Sequence, residues 1–395
     1  MSSGEYLRLE TSGRVSGRPH NVLVRFITVD SRVVIFPQST GKQDWVANVR
    51  KNPQVSLYWA GRTIKGTARL RQVSGLKDPL LGIFTRKYGE AEVRKRYWGQ
   101  MSYVEVEVTS QAESAADYSE LVYAELEAAF DGVAEGYDHH ILDNPMNLWL
   151  RNRSVYHLLK VFKKGDVVLE IGCGTGTETL SLARAGIRMI ASDISSKMLE
   201  VLSRKASAAG LSDMVVPIHS RPHLIRRKLQ DLGISTVDGA YSTYGAVNTE
   251  PQLGVLFRDL NAMIKPGGTL VLGVWNKFCM FEMVGYAARM RPSMVVARLR
   301  NPVPVGKSRF CVASDAYSVG TLGRIISPYF KLESVYGVEM FLPPSNLTRY
   351  LPPAPVLRVL ERFEAGIEGR FPWNRLGDHF LGVYSEVPRP APSAG

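Results

Sequence analysis

The run LEIGCGTGTETL, residues 169–180, constrains the fold more than any other stretch of this chain. An apolar segment ends at Ile171. Glycines follow at alternate positions, Gly172, Gly174 and Gly176, and a helix-like segment opens at Thr177. A strand that turns into a helix this abruptly needs backbone angles that side chains resist, and glycines permit them. The expected unit is strand–turn–helix, an opening of a parallel α/β sheet. A long segment precedes it and needs its own explanation.

The pattern after the loop agrees with a sheet. From residue 120 onward, helices are expected at 121–135 and 146–162. Alternating strands and helices follow: strand 166–171, helix 177–184, strand 187–193, helix 196–209, strand 214–219, helix 224–232, strand 237–241, helix 252–264 and strand 269–275. Such alternation puts helices on both faces of a parallel sheet. Two late strands, 331–340 and 380–387, have a helical excursion between them and close the sheet as an antiparallel pair. The fold class is an α/β Rossmann-like sheet.

The first 110 residues read differently. Strands are expected at 21–29, 32–36, 54–60, 62–70 and 102–109, with a short helix from 41 that stops before Pro53. Several short strands with one or two helices point to a small β-rich barrel. The acidic stretch QAESAADYS (111–119) reads as the linker. The expected domains are therefore 1–112, a linker and helix at 113–126, 127–387, and a disordered tail at 388–395.

Composition narrows the classes. The chain has 395 residues, suited to two domains. Three cysteines, Cys173, Cys279 and Cys311, fit neither a disulfide framework nor a zinc site. No long apolar run or apolar leader is present, so a cytoplasmic protein is expected. The net charge is +12, yet residues 111–140 hold eight acids and no Lys or Arg. No zinc finger, aromatic nucleic-acid motif or Lys/Arg block accompanies the basic balance, so no nucleic acid is expected. A small-molecule substrate is.

Two ligands compete for the glycine loop. A dinucleotide site wants G-x-G-x-x-G. Here Thr177 stands where the last glycine would lie, and Glu170 sits just before the loop. A carboxylate there repels a pyrophosphate and suits an ammonium. Asp193 closes the next strand, where an acceptor for both ribose hydroxyls belongs. S-adenosyl-L-methionine meets these demands. The remaining reading is a tight turn in a ligand-free domain. His219 and His223 are four apart, but Pro222 intervenes and no third ligand is evident, so no metal site is read. Methyl transfer needs mainly alignment. If a general base assists, His140, Tyr244 and Glu250 are the candidates.

LEIGCGTG, ASDISSKML, VDGAYSTYGAVN and IKPGGTLVLGVWN resemble the motifs of class I S-adenosylmethionine-dependent methyltransferases, and AFDGVAEGYDHH resembles their lead-in segment. The resemblance covers residues 127–387 and implies a seven-stranded sheet with a reversed last hairpin. It implies that Glu170, Gly172, Gly174 and Gly176 line the methionine end of the cofactor and that Asp193 holds the ribose. Ile194 and Met198 flank the adenine, Ser242, Thr243 and Tyr244 meet the sulfonium and acceptor, and Tyr137 closes over the cofactor. One departure is HSRPHLIRRK after the third strand, where the family often carries an acid near the adenine amine.

TSGRVSGRPH, QSTGKQDWVANVRKNPQVSL and FTRKYGEAEVRKRYW are similar to the deazaflavin-dependent nitroreductases, a split β-barrel family. This resemblance covers residues 5–110. It implies a deazaflavin (coenzyme F-420) or FMN near Thr11, Gly13, Arg14, Ser16, Gly17, Trp45 and Asn48. The family usually has a helix before the loop, and this chain starts almost at the loop, so a homodimer through the barrel is one way to complete the site.

Between strand five and the last hairpin, residues 278–310 mix Met, Phe and Val with six Lys/Arg and one acid, Glu282. The plain reading is packed helix with solvated basic ends. The sharper one is a hydrophobic acceptor pocket with a basic rim, in peripheral contact with lipid. The expected function is methylation of a small hydrophobic metabolite, with a front domain that is redox-active or a scaffold. The rivals are a deazaflavin-dependent oxidoreductase whose second half only binds or regulates, and a non-catalytic binding protein.

Overall fold

A computed structural model of the chain describes residues 6–387, except 16, 30–31, 40–42, 60–61, 74, 76–77, 98, 100–101, 109–111 and 300–313. The described chain divides into two compact units, the first ending at Ala129 and the second beginning at Phe130. No described helix is long and apolar enough to cross a membrane.

The first unit holds seven antiparallel strands: β1 (Leu7–Ser12), β2 (Pro19–Val24), β3 (Phe26–Val29), β4 (Arg32–Ile35), β5 (Gln54–Trp59), β6 (Arg62–Gln72) and β7 (Ser102–Val108). Their order is β2-β1-β5-β6-β7-β4-β3, curled into a half-barrel. Period-two alternation sends Leu7, Leu9, Leu57, Ile64, Val104 and Val106 to one core, which the helix Asp44–Lys51 completes with Trp45 and Val49. Gly66 permits a close approach of strands, since a Cβ there would lie 2.6 Å from Val106 and 2.8 Å from the Glu107 carbonyl. β1 is a strand the sequence did not disclose. Its mixed LRLETS text hides the alternation, and TSGRVSGRPH, read as a loop, spans the β1–β2 hairpin. The expected strand 21–29 is split at Arg25 between β2 and β3.

The second unit holds β8 (Val167–Ile171), β9 (Arg188–Asp193), β10 (Val215–His219), β11 (Val237–Ser242), β12 (Ile264–Trp275), β13 (Phe330–Val338) and β14 (His379–Glu386). The order β10-β9-β8-β11-β12-β14-β13 is parallel through β12, with β14 antiparallel to both neighbours. Alternation along the strands feeds two cores. Leu169, Ile171, Leu270, Leu272 and Phe380 face the helices Ile225–Asp231, Leu253–Met263 and Val319–Ile326. Val168, Met189, Tyr241, Val271 and Leu381 face the helices Pro145–Val161, Thr177–Arg184 and Ser196–Ala208. Strands buried on both faces explain their near-continuous apolar text.

The stretch expected to be a linker is helical from Ala112, within one helix, Ala112–Asp131. Its Ala and Glu residues are strong helix formers and it holds no Gly or Pro, so acidity alone misdirects the reading. The tail at 388–395 lies outside the described residues.

Candidate active site

The glycine loop leaves β8 at the edge where β8, β9, β11 and β12 end. Gly172 and Cys173 both donate backbone N–H groups to the Ser192 carbonyl, at 2.8 and 3.0 Å, which fastens the loop to β9. The three glycines have φ of 74°, 53° and 79°. Gly176 begins the next helix, and a Cβ there would stand 2.1 Å from Leu202. The requirement for glycine is thus both conformational and steric at that position.

Asp193 ends β9 beneath the loop. Its two oxygens accept the N–H groups of Gly174 and Ser195, at 2.7 and 2.8 Å. A carboxylate offers about four lone-pair sites, so even with the Ile194 N–H also favouring its charge, capacity for a further donor remains. Burial pushes its carboxyl up, against the hydrogen bonds that favour its charge.

Glu170 is buried and accepts the Thr179 hydroxyl. Burial, with the Glu178 charge adding, pushes its carboxyl up to about 8. Folding therefore takes up a proton between the ordinary carboxylate range and about 8, and stability from this group is lost as pH rises through that window. An ammonium ligand needs the charged form. An α-amino group titrates near about 7.7–8.0. S-adenosylmethionine affinity is thus expected to rise on the order of tenfold per pH unit from pH 6, and to peak near pH 8. Calorimetric titration at several pH values checks this; Glu170→Gln should lose the rising limb.

The lead-in segment closes on the loop. Ala134 and Tyr137 pack with Met198 and Val201 of the helix Ser196–Ala208. Asp138 accepts the Thr175 hydroxyl at 2.5 Å and the Lys205 ammonium at 2.6 Å, and Asp131 accepts the Ser195 hydroxyl at 2.6 Å. A Cβ on Gly174 would lie 3.8 Å from the Tyr137 ring, so the ring sits within van der Waals reach of the loop. Ile194 is partly buried, and its carbonyl accepts from His219 at 2.9 Å.

After β11 the chain turns sharply. The Ser242 hydroxyl donates to the Ile171 carbonyl at 2.9 Å, Thr243 is buried, and Tyr244 takes a positive φ of 59°. The Arg151 guanidinium lies 4.3 Å from the Tyr244 ring centre and pairs with Glu178 at 2.5 Å. Tyr244 also stacks on His379, with centroids 6.2 Å apart. Arg151, Glu178 and His379 carry no sequence motif and were not anticipated. Among the candidate bases, Tyr244 stands in this group. Glu250 is buried and accepts the Gln252 N–H at 2.7 Å, at the start of the helix Leu253–Met263. The side chain of His140 lies outside the described residues.

In the first unit the hairpin tip folds onto the helix Asp44–Lys51. The Gly13 N–H donates to Arg18 and the Gly17 N–H to Gly13, both at 2.8 Å. Asn48 accepts the Arg14 N–H at 3.0 Å and donates to Thr11 at 3.2 Å. The Arg14 side chain pairs with Asp44 at 3.0 Å, and Lys51 donates to the Arg14 carbonyl at 2.8 Å. Thr11, Gly13, Arg14, Gly17 and Asn48 thus come together. Trp45 is buried in the core with its indole donating to Gln43 at 2.8 Å, and Asn48 is buried too. Ser16 lies outside the described residues.

Residues 168–268 match the family described as Methyltransferase domain, and residues 1–97 the family described as F420H(2)-dependent quinone reductase. The chain carries a methyltransferase domain behind a quinone-reductase-type domain. The methyltransferase domain is similar to curated relatives. Demethylmenaquinone methyltransferase of Thermobifida fusca is 28% identical over 147 residues, 37% of this chain and 58% of that one. A probable protein arginine N-methyltransferase 6 of Arabidopsis thaliana is 33% identical over 113 residues, 27% of this chain and 24% of that one. The chain spans less than two thirds of the length of these relatives. Among solved structures, a SAM dependent methyltransferase from Aquifex aeolicus matches with TM-score 0.38 and 18% identity, over 62% of this chain and 95% of that one.

Proposed function

We propose that the chain transfers a methyl group from S-adenosylmethionine to a small hydrophobic acceptor of quinone type, and that its front domain reduces that acceptor with a deazaflavin. The observation that carries the methyl-transfer reading is the Asp193 carboxylate beside the glycine loop, anchored by backbone donors with acceptor capacity to spare. Bound S-adenosylmethionine supplies an electrophilic methyl on a sulfonium. Glu170 would hold its ammonium, Asp193 its ribose, and Tyr137 and Met198 would exclude water above it. Tyr244, backed by Arg151, would wall the acceptor.

The quinone assignment rests on chemistry shared by the two domains' relatives. The front domain's family reduces quinones by its description, and three curated relatives of the rear domain are demethylmenaquinone methyltransferases. A quinol hydroxyl, unlike a quinone carbonyl, supplies the electron pair that methylation needs. Reduction before methylation gives the fusion a purpose. In the front domain, Arg14 and Lys51 bring positive charge to the hairpin tip, which supports a phosphate-bearing cofactor. A bound deazaflavin would supply hydride. Titration of the full chain with oxidised deazaflavin and with FMN, followed by cofactor fluorescence, tests this. Deazaflavin is expected to bind in the micromolar range or tighter; binding of neither reduces the front domain to a scaffold.

A further inference from the structure

His379 and Asp378 stand at the acceptor end of the sheet and belong to no motif. His379 opens β14 and pairs in register with Trp275, the last residue of β12, and Val338, the last of β13. That places it at the edge where the glycine loop and Tyr244 also lie, outside the carboxyl ends of the parallel strands, where ligands of such sheets bind. Its ring stacks on Tyr244 at an interplanar angle of 17°. Tyr244 in turn lies under Arg151, whose partner Glu178 sits in the helix leaving the glycine loop.

His379 Nδ1 is buried and lies 2.8 Å from Asp378 Oδ2, an ion-pair contact rather than an aligned hydrogen bond. The side chain is 14% exposed, so that exposure belongs to the rest of the ring. Asp378 is kept ionised. The buried Arg298 guanidinium bonds its other oxygen, and this charge holds the carboxyl well below the usual range despite burial. Glu282 neutralises the far side of Arg298 at 2.8 Å. Glu339, nearly fully buried, is pushed far up by burial and by the charges of Asp378 and Glu364. Asp378 is the carboxylate in contact with the ring. The groups around His379 are Asp378, Glu339 and Tyr244, with Arg298, Arg151 and Glu364 one contact further out.

We propose that His379 is the general base for the acceptor hydroxyl and that Asp378 is its positioning partner. The inference rests on the methyltransferase reading. A carboxylate charge this close to Nδ1 favours the proton there and leaves Nε2 as acceptor. Nε2 takes the hydroxyl proton of a quinol. The freed oxygen pair, or the ring carbon it activates, forms the new bond to the methyl carbon. The carbon–sulfur bond breaks with its electron pair on sulfur, and a carbon acceptor then loses its ring proton to water. Asp378 balances the imidazolium. The ligand atoms of Glu339, Asp378 and His379 lie within 4.8 Å of one another, a spacing a divalent cation also tolerates. Arg298 already supplies the positive charge at Asp378, which favours proton transfer over metal binding.

Two measurements on the full chain test this. Nitrogen-15 NMR of the histidine side chains, assigned with His379→Gln, should show the Nδ1–H tautomer at His379 and its loss in Asp378→Asn. With 1,4-naphthoquinol as acceptor, His379→Gln should lower kcat by about a hundredfold or more while S-adenosylmethionine affinity is unchanged, and should remove the acid limb of the pH profile. An Nε2–H tautomer, or a variant that keeps both rate and acid limb, overturns the proposal. So does a wild-type rate that needs magnesium, with the His379 signal broadened by manganese. Absence of S-adenosylmethionine binding in the wild type would sink the methyltransferase reading instead; the tautomer would still decide the dyad.

Discussion

Asp193→Ala is expected to weaken S-adenosylmethionine binding by about two to four orders of magnitude. Two charge-assisted hydrogen bonds to ribose contribute about 1.5–3 kcal/mol each, and about 1.4 kcal/mol is a factor of ten in affinity. The loop is affected as well, because the Gly174 and Ser195 N–H groups lose their acceptor. Asp193→Asn keeps one acceptor oxygen and should lose less. Calorimetric titration of both variants, with circular dichroism as a check on folding, measures the effect. The experiment also separates the rival function. Were the chain an oxidoreductase with a merely regulatory second half, Asp193→Ala would spare reduction and there would be no methyl transfer to lose.

The second large effect concerns stability. Arg151 and Glu178 form a buried pair, with side chains 6% and 3% exposed. Their geometry follows from two helices meeting beside the glycine loop. Burial opposes the guanidinium charge, but Glu178 together with Tyr137, Tyr244 and Glu170 outweighs it and holds Arg151 protonated. Arg151→Ala leaves the Glu178 carboxylate buried and alone, and removes the cation above Tyr244. Breaking one side of such a pair costs about 3–5 kcal/mol. Denaturant unfolding should show a loss of that order in Arg151→Ala. The double variant Arg151→Met with Glu178→Met should recover most of it, since an apolar replacement of both partners leaves no stranded charge. Equal loss in the single and double variants would mean that packing, not charge, is what Arg151 supplies.

How much of this was legible in the sequence follows from how local each signal is. The glycine loop, Asp193 and the alternating elements are written in short stretches, because a strand end, a tight turn and a helix start constrain adjacent residues. The seven-stranded sheet with its reversed hairpin follows from that text. β1 escaped because its inward positions are Leu7, Leu9 and Thr11, which dilutes the alternation. The helix from Ala112 escaped because an acidic, small-residue stretch resembles a linker. The surroundings of His379 were not legible at all. Arg298 and Asp378 are 80 residues apart. Such a pair arises only when β14 returns beside β12. The segment holding Arg298 was expected to carry solvated basic ends or the basic rim of a pocket; Arg298 is buried, with Glu282 and Asp378 converging on it.

The most direct measurement is transfer of labelled methyl from S-adenosylmethionine to 1,4-naphthoquinone by the full chain, with and without reduced deazaflavin, and in parallel to chemically prepared naphthoquinol. The expected result is labelled product from the quinol, and from the quinone only when reduced deazaflavin is present. Equal labelling of quinone and quinol, or no labelling of the quinol by protein that binds S-adenosylmethionine, would contradict a reductase–methyltransferase acting in sequence on one acceptor.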